Sequence, residues 1–106
     1  MNYSNSYAKA AVYMGSGKPF EIRSYPLTPP ADGFALVKLI ASGICGTDIH
    51  IHHGRLDIPA PMIIGHEFIG KVADINGGDG SVCTGDRVIV NFAKPCGECK
   101  LCKSGD

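Results

Sequence analysis

The amino-acid sequence predicts a mainly β domain, either a barrel or a sandwich. Three observations lead there. Glycine and proline are frequent, at 14 and 7 residues, and cut the chain into short apolar stretches. The best of those stretches is rich in branched side chains, which suit a pleated surface better than a helix. Only one segment carries both a helix start and a helix stop. Several short strands joined by Gly/Pro turns, with little helix, describe a closed or layered β fold.

The elements follow in order. AKAAVYM (8–14) reads as a first strand and PFEIRSYPL (19–27) as a second, with GSGK as the hairpin turn between them. TPPADG (28–33) is excluded from regular structure because its prolines lack amide donors. FALVKLIASGI (34–44) is the clearest strand in the chain. TDIHIHHG (47–54) mixes signals: its branched residues favour strand, but Thr47 and Asp48 offer a helix start and Gly54 a stop. It is read as a short helix. IPAPM (58–62) is loop, EFIGKVADI (67–75) a strand, NGGDGS (76–81) a flexible turn and GDRVIVN (85–91) a further strand. The cysteine-rich tail has no apolar period. No repeat or low-complexity tract is visible.

Composition narrows the function. The 106 residues suffice for one domain, and 44% are hydrophobic. Lys plus Arg equals Asp plus Glu at 10 each, so the basic excess of a nucleic-acid binder is missing. The start, MNYSNSYAKA, lacks the pattern of a signal peptide. No apolar run approaches the ~20 residues of a membrane span. A soluble, cytoplasmic protein without nucleic-acid or membrane partners is expected. Five cysteines is an odd number, unlike a secreted disulfide framework. In a reducing compartment, clustered cysteines hold metal or do chemistry.

Two groups of residues suit a metal. Cys96, Cys99 and Cys102 form two overlapping Cys-x-x-Cys pairs, so tight turns can aim three thiolates at one ion. A bacterial ferredoxin run would place its next cysteine at position 106, which is Asp106. A DNA-binding zinc ribbon would need a second close pair, but Cys45 and Cys83 stand alone. The second group is Cys45, His66 and Glu67. Cys45 lies at a strand-to-helix corner, where the helix dipole favours a thiolate. His66 and Glu67 lie at the mouth of the next strand. Taken singly, such a His is more often structural and such a Cys a small buried hydrophobe. Cys83 is read in that second way, and His52 and His53 as exposed residues at the helix end.

SGICGTDIH, then GHEFIG, then GDRV, then Cys-x-x-Cys-x-x-Cys together resemble the zinc-dependent medium-chain alcohol and polyol dehydrogenases. The resemblance runs from about Ala8 to the last residue. It implies a GroES-like β-barrel with short helices and a Cys-rich structural-zinc lobe at the C-terminal end. It implies that Cys45 and His66 are catalytic zinc ligands and that Glu67 ligates the metal or alternates with water. Cys96, Cys99 and Cys102 would serve the structural zinc. Thr47 matches the hydroxyl that contacts the substrate oxygen, His50 the outer member of a proton relay and Asp48 a carboxylate that orients the zinc-bound histidine. For Asp48 the competing reading is helix capping; for His50 it is a solvated surface histidine.

The family's physics suits those roles. Catalytic zinc keeps a position open and acidifies a hydroxyl placed there. Hydride passes to NAD or NADP, and the substrate is a small-molecule alcohol. In the family a Rossmann domain follows the barrel. Nothing in residues 1–106 resembles G-x-G-x-x-G: Gly77, Gly78 and Gly80 neither follow the right strand nor open a helix. The family's fourth lobe cysteine would fall near position 110. The chain is therefore expected to be a truncated catalytic domain, inactive alone, from a parent that forms a dimer or tetramer. The rival reading is a free-standing zinc-binding structural or interaction module.

Overall fold

The structure is a computed structural model and describes residues 2–105. Five strands and two short helices follow one another as β1 (Tyr7–Val12), β2 (Glu21–Pro26), β3 (Phe34–Ser42), α1 (Gly46–His52), β4 (Phe68–Asn76), β5 (Arg87–Ile89) and α2 (Lys100–Ser104). The chain is mainly β, as its composition and turn residues led us to expect. The strands divide into two antiparallel sheets, β1-β2 and β3-β4-β5.

The first hairpin is looser than its sequence suggests. β1 and β2 pair from Tyr7↔Pro26 to Val12↔Glu21, so the connection spans residues 13–20. Pro19 has no amide with which to extend the ladder. Tyr13 instead leaves β2 and forms an isolated antiparallel bridge with Met62. Within the connection, the amide of Lys18 donates to Gly15 O.

β3 and β4 form the long pairing, from Phe34↔Asn76 to Ser42↔Phe68, with irregularities after Leu36 and Leu39. Gly70 lies opposite Leu39 and is buried. A Cβ there would lie 2.3 Å from Val37 Cγ1 and 2.7 Å from Lys38 O. The close approach of β3 therefore requires glycine on β4. β3 ends at Ser42, short of the expected Ile44, because the backbone turns into α1. One further bond, from Gly43 N to Glu67 O at 2.8 Å, extends the pairing before that turn. β5 is shorter than read, Arg87–Ile89. Gly85 sits at φ +99°, a conformation that starts the strand late.

Among the described residues, Val12, Tyr13, Ile51 and Val72 are the buried hydrophobic side chains. Ile44, Ile89 and Phe92 are 84%, 83% and 75% exposed. The radius of gyration is 16.0 Å, against about 13 Å for a compact domain of this length. The chain thus presents much of its apolar surface outward. No helix among the described residues is long and apolar enough to cross a membrane.

The tail departs from expectation. It contains α2, with Cys99 as N-cap and Gly105 as a left-handed C-cap. At five residues the helix is too short for an apolar period to register. Its readable signals were Lys103 in the last turn and the glycine stop.

Candidate metal centres

β3 and β4 deliver one set of donors. Their register ends at Ser42↔Phe68, so the residues just beyond each strand emerge side by side. Cys45 follows β3 and His66 and Glu67 precede β4. One ligand atom from each of these three residues lies within 4.8 Å of the others. Cys45 and His66 are half-buried and Glu67 is exposed. Gly43 leaves room for the carboxylate, since a Cβ there would stand 3.0 Å from Glu67 Oε2.

Cys45 is the N-cap of α1, in an extended conformation. Its amide donates to Asp48 Oδ2 at 2.8 Å, the backward half of a capping box. Its thiol donates to Thr47 Oγ1 across 3.6 Å. Asp48 therefore caps the helix, and it also does something else. Its other oxygen, Oδ1, is buried, has no hydrogen-bond partner among the described residues and lies 3.7 Å from His66 Nδ1. The capping reading of Asp48 is thus seen directly, while its second oxygen faces His66 without a hydrogen bond. Thr47 is half-buried beside the thiol, and His50 is exposed, three residues further along the helix.

The second set is the tail. Cys96 Sγ accepts the Cys99 amide at 3.3 Å, and Cys99 Sγ accepts the Cys102 amide at 3.4 Å. Gly97, at φ +75°, makes the first of these turns possible. Cys96 Sγ and Cys102 Sγ are 3.7 Å apart. A tetrahedral zinc site with Zn–S near 2.3 Å has an edge of about 3.8 Å. That pair of sulfurs thus already stands at the separation that zinc demands, and the Cys99 sulfur lies within 4.8 Å of both. Amides of Glu98 and Cys99 donate to the Cys96 sulfur and, with the neighbouring thiols, lower its pKa to about 7. A thiolate is the form that binds metal.

Two other expectations need correction. Cys83 is exposed, not a buried small hydrophobe. Its backbone joins a turn in which its amide donates to Asp86 Oδ2 at 2.8 Å. The turn leaves the thiol outward. His52 is half-buried, not exposed: its ring lies 5.8 Å from that of Phe20. His53 is exposed as expected.

Sequence reasoning overlooked Phe92, whose ring meets that of His66 edge-on at 5.6 Å. Its only signal was its position just after the last predicted strand. Two clefts of about 550 Å³ flank the donors. One is lined by His66, Glu67, Ile69 and Ile89. The other is lined by Phe20, Ile44, Asp48, Ile49 and Ile64.

The family described as the alcohol dehydrogenase GroES-like domain matches residues 31–106. The chain belongs to that family. This GroES-like domain is 39% identical over 97 residues to an NDMA-dependent alcohol dehydrogenase from Amycolatopsis methanolica. That match covers 92% of the domain but 26% of the relative, so the chain spans about a quarter of the relative's length. Benzyl alcohol dehydrogenase from Acinetobacter calcoaceticus superposes with a TM-score of 0.84 at 29% identity. That alignment covers 93% of this chain and 27% of the other. Acetophenone reductase from Geotrichum candidum, solved in complex with NAD, gives 0.79 at 33% identity over 92% of this chain and 29% of its own.

Proposed function

We propose that this GroES-like domain is the N-terminal catalytic part of a zinc-dependent alcohol or polyol dehydrogenase that uses NAD or NADP. The observation that carries the reading is the meeting of Cys45, His66 and Glu67 donors within 4.8 Å at the ends of two paired strands. A thiolate, an imidazole and a carboxylate form a donor set that zinc accepts. A zinc ion held there supplies Lewis acidity that lowers the pKa of an alcohol hydroxyl.

The chain's own residues do the rest. Asp48 Oδ1 faces His66 Nδ1 across 3.7 Å, so a small turn of the imidazole on metal binding would let the carboxylate accept that N–H and leave Nε2 for the metal. Cys45 ligates as the thiolate, so its S–H···O bond to Thr47 disappears on metal binding. The Thr47 hydroxyl is then free to accept a hydrogen bond from a substrate hydroxyl and to relay the proton, releasing its own as it takes the substrate's. His50, exposed on the same helix, has the intrinsic pKa to hand that proton to solvent. Phe92 meets the His66 ring edge-on and supplies an apolar wall beside it. Cys96, Cys99 and Cys102 hold a second, structural zinc.

The exposed Ile44, Ile89 and Phe92 suit a domain whose partner surface lies elsewhere in the parent. A dinucleotide-binding Rossmann domain, a cytoplasmic location and a dimeric or tetrameric parent belong to the same proposal. The test is oxidation of alcohols by the parent protein with NAD and with NADP. Activity abolished by Cys45→Ser supports the reading. An unchanged rate in that variant overturns it. The 106-residue chain alone should show no turnover.

A further inference from the structure

Tyr13 is nearly inaccessible, with 3% of its surface exposed, yet a phenylalanine would fill the same space. A buried hydroxyl is costly unless it is hydrogen-bonded. The Tyr13 hydroxyl donates to Ile51 O, 3.4 Å away and buried in α1. The same residue's backbone exchanges two bonds with Met62, from Tyr13 N to Met62 O at 2.8 Å and from Met62 N to Tyr13 O at 3.1 Å.

Those two attachments lead to different halves of the candidate metal set. Ile51 lies on the helix whose N-cap is Cys45. Met62 lies on the segment that runs through Gly65 to His66. Gly65, at φ +124°, has nothing within 4 Å of a hypothetical Cβ, so backbone direction and not crowding requires glycine there. Tyr13 thus grips the Cys45 arm with its side chain and the His66 arm with its backbone.

The turn after Tyr13 reinforces the grip on α1. Gly17 N donates to His52 O at 2.9 Å, and Ser16 Oγ reaches the same carbonyl at 3.4 Å. Carbonyls at a helix end otherwise lack partners within the helix. In a helix of seven residues whose buried side chain is Ile51, the backbone hydrogen bonds tie the N-cap to the far end. Displacement of its far end therefore shifts Cys45, Thr47 and Asp48 together.

We infer that Tyr13 is a positioning residue that sets the separation between Cys45 and His66. The inference rests on the metal site proposed above. The tyrosine touches neither metal nor substrate and acts through α1 and the Met62–His66 segment.

Cobalt(II) is the probe, titrated into the metal-free 106-residue chain and followed by its sulfur-to-metal charge-transfer and ligand-field bands. Cys45→Ser and Cys102→Ser assign the bands to the two sites. Tyr13→Phe should weaken cobalt at the Cys45-dependent site about tenfold, as loss of an outer contact does, and leave the Cys102-dependent site unchanged. Unchanged affinity at the Cys45 site overturns the inference. So does an equal loss at both sites in step with the melting temperature, which would mark Tyr13 as merely structural. If Tyr13→Phe does not fold, Ser16→Ala loosens the same helix end from the surface. It should give a smaller loss at the Cys45 site alone; no loss there overturns the inference. A wild-type chain with no Cys45-dependent band overturns the metal-site reading itself, and the inference with it.

Discussion

One carboxylate, that of Asp48, touches both halves of the candidate catalytic site: Oδ2 accepts the Cys45 amide at 2.8 Å, and Oδ1 lies 3.7 Å from His66 Nδ1. Helix capping and imidazole orientation are therefore not separable by position. They are separable by chemistry. In Asp48→Asn, the amide oxygen still accepts the Cys45 amide while its NH2 meets His66 and favours the wrong tautomer. Zinc affinity at the Cys45 site should fall at least about tenfold with little change in melting temperature. Asp48→Ala should lose the affinity and also about 1 kcal/mol of stability, the usual cost of a lost cap. Chelator competition and thermal melting check the two effects independently.

Metal should stabilise the fold increasingly as its concentration rises above the dissociation constant. An ion that binds only the native chain adds about 2.7 kcal/mol at a hundredfold excess over its dissociation constant. Zinc should raise the melting temperature of the wild-type chain, and a chelator should reverse the rise. Cys45→Ser and Cys102→Ser should each remove part of it. A chelator-insensitive melting curve would contradict both metal centres.

A pH dependence is built into the N-terminal segment. The Tyr3 hydroxyl donates a hydrogen bond to Asp74 Oδ2 on β4. That bond holds the Asp74 carboxyl below its ordinary pKa and raises Tyr3 to about 12. A depressed carboxylate stabilises the fold above its unfolded pKa, and the benefit fades as pH falls through the native value. The raised phenol contributes below its unfolded pKa near 10 and loses that contribution as pH rises through about 12. Tyr3→Phe should lower stability at neutral pH, and the difference from wild type should vanish at both extremes. A difference that is flat with pH would show that the bond carries no such linkage.

Gly70 should be far less replaceable than Gly78. Alanine at 70 would drive Cβ to within 2.3 Å of Val37 Cγ1 and 2.7 Å of Lys38 O, and the second of these is backbone. Overpacking of that kind costs about 1–3 kcal/mol, or more where backbone must move. At Gly78, with φ +97° and nothing within 4 Å, the cost is conformational, about 1–2 kcal/mol. Urea titration of the two alanine variants compares them directly, and equal midpoints would contradict the crowding at Gly70.

The strands were legible because alternation, branching and turn residues are local signals, and β3, β4 and α1 fell within a few residues of their expected limits. The donor residues were legible because cysteine and histidine are side chains that zinc prefers, and the spacing of the tail cysteines is itself local. Partnership across the chain was not. Nothing local in Tyr13 says that its backbone will pair with Met62 or its hydroxyl with Ile51, because both contacts depend on how distant segments return. The outward position of Cys83 was hidden for a related reason. An apolar-looking thiol is buried only if neighbours cover it, and the Asp86 capping turn faces it away from them.

Strand pairing between Ser42 and Phe68 brings the ends of the 43–67 connection together through backbone contacts. A cation arriving there would act as a clasp on a closed purse, not as the seed around which the polypeptide condenses. Demetallation should accordingly slacken the connection and expose it to proteases, while the β3–β4 ladder survives.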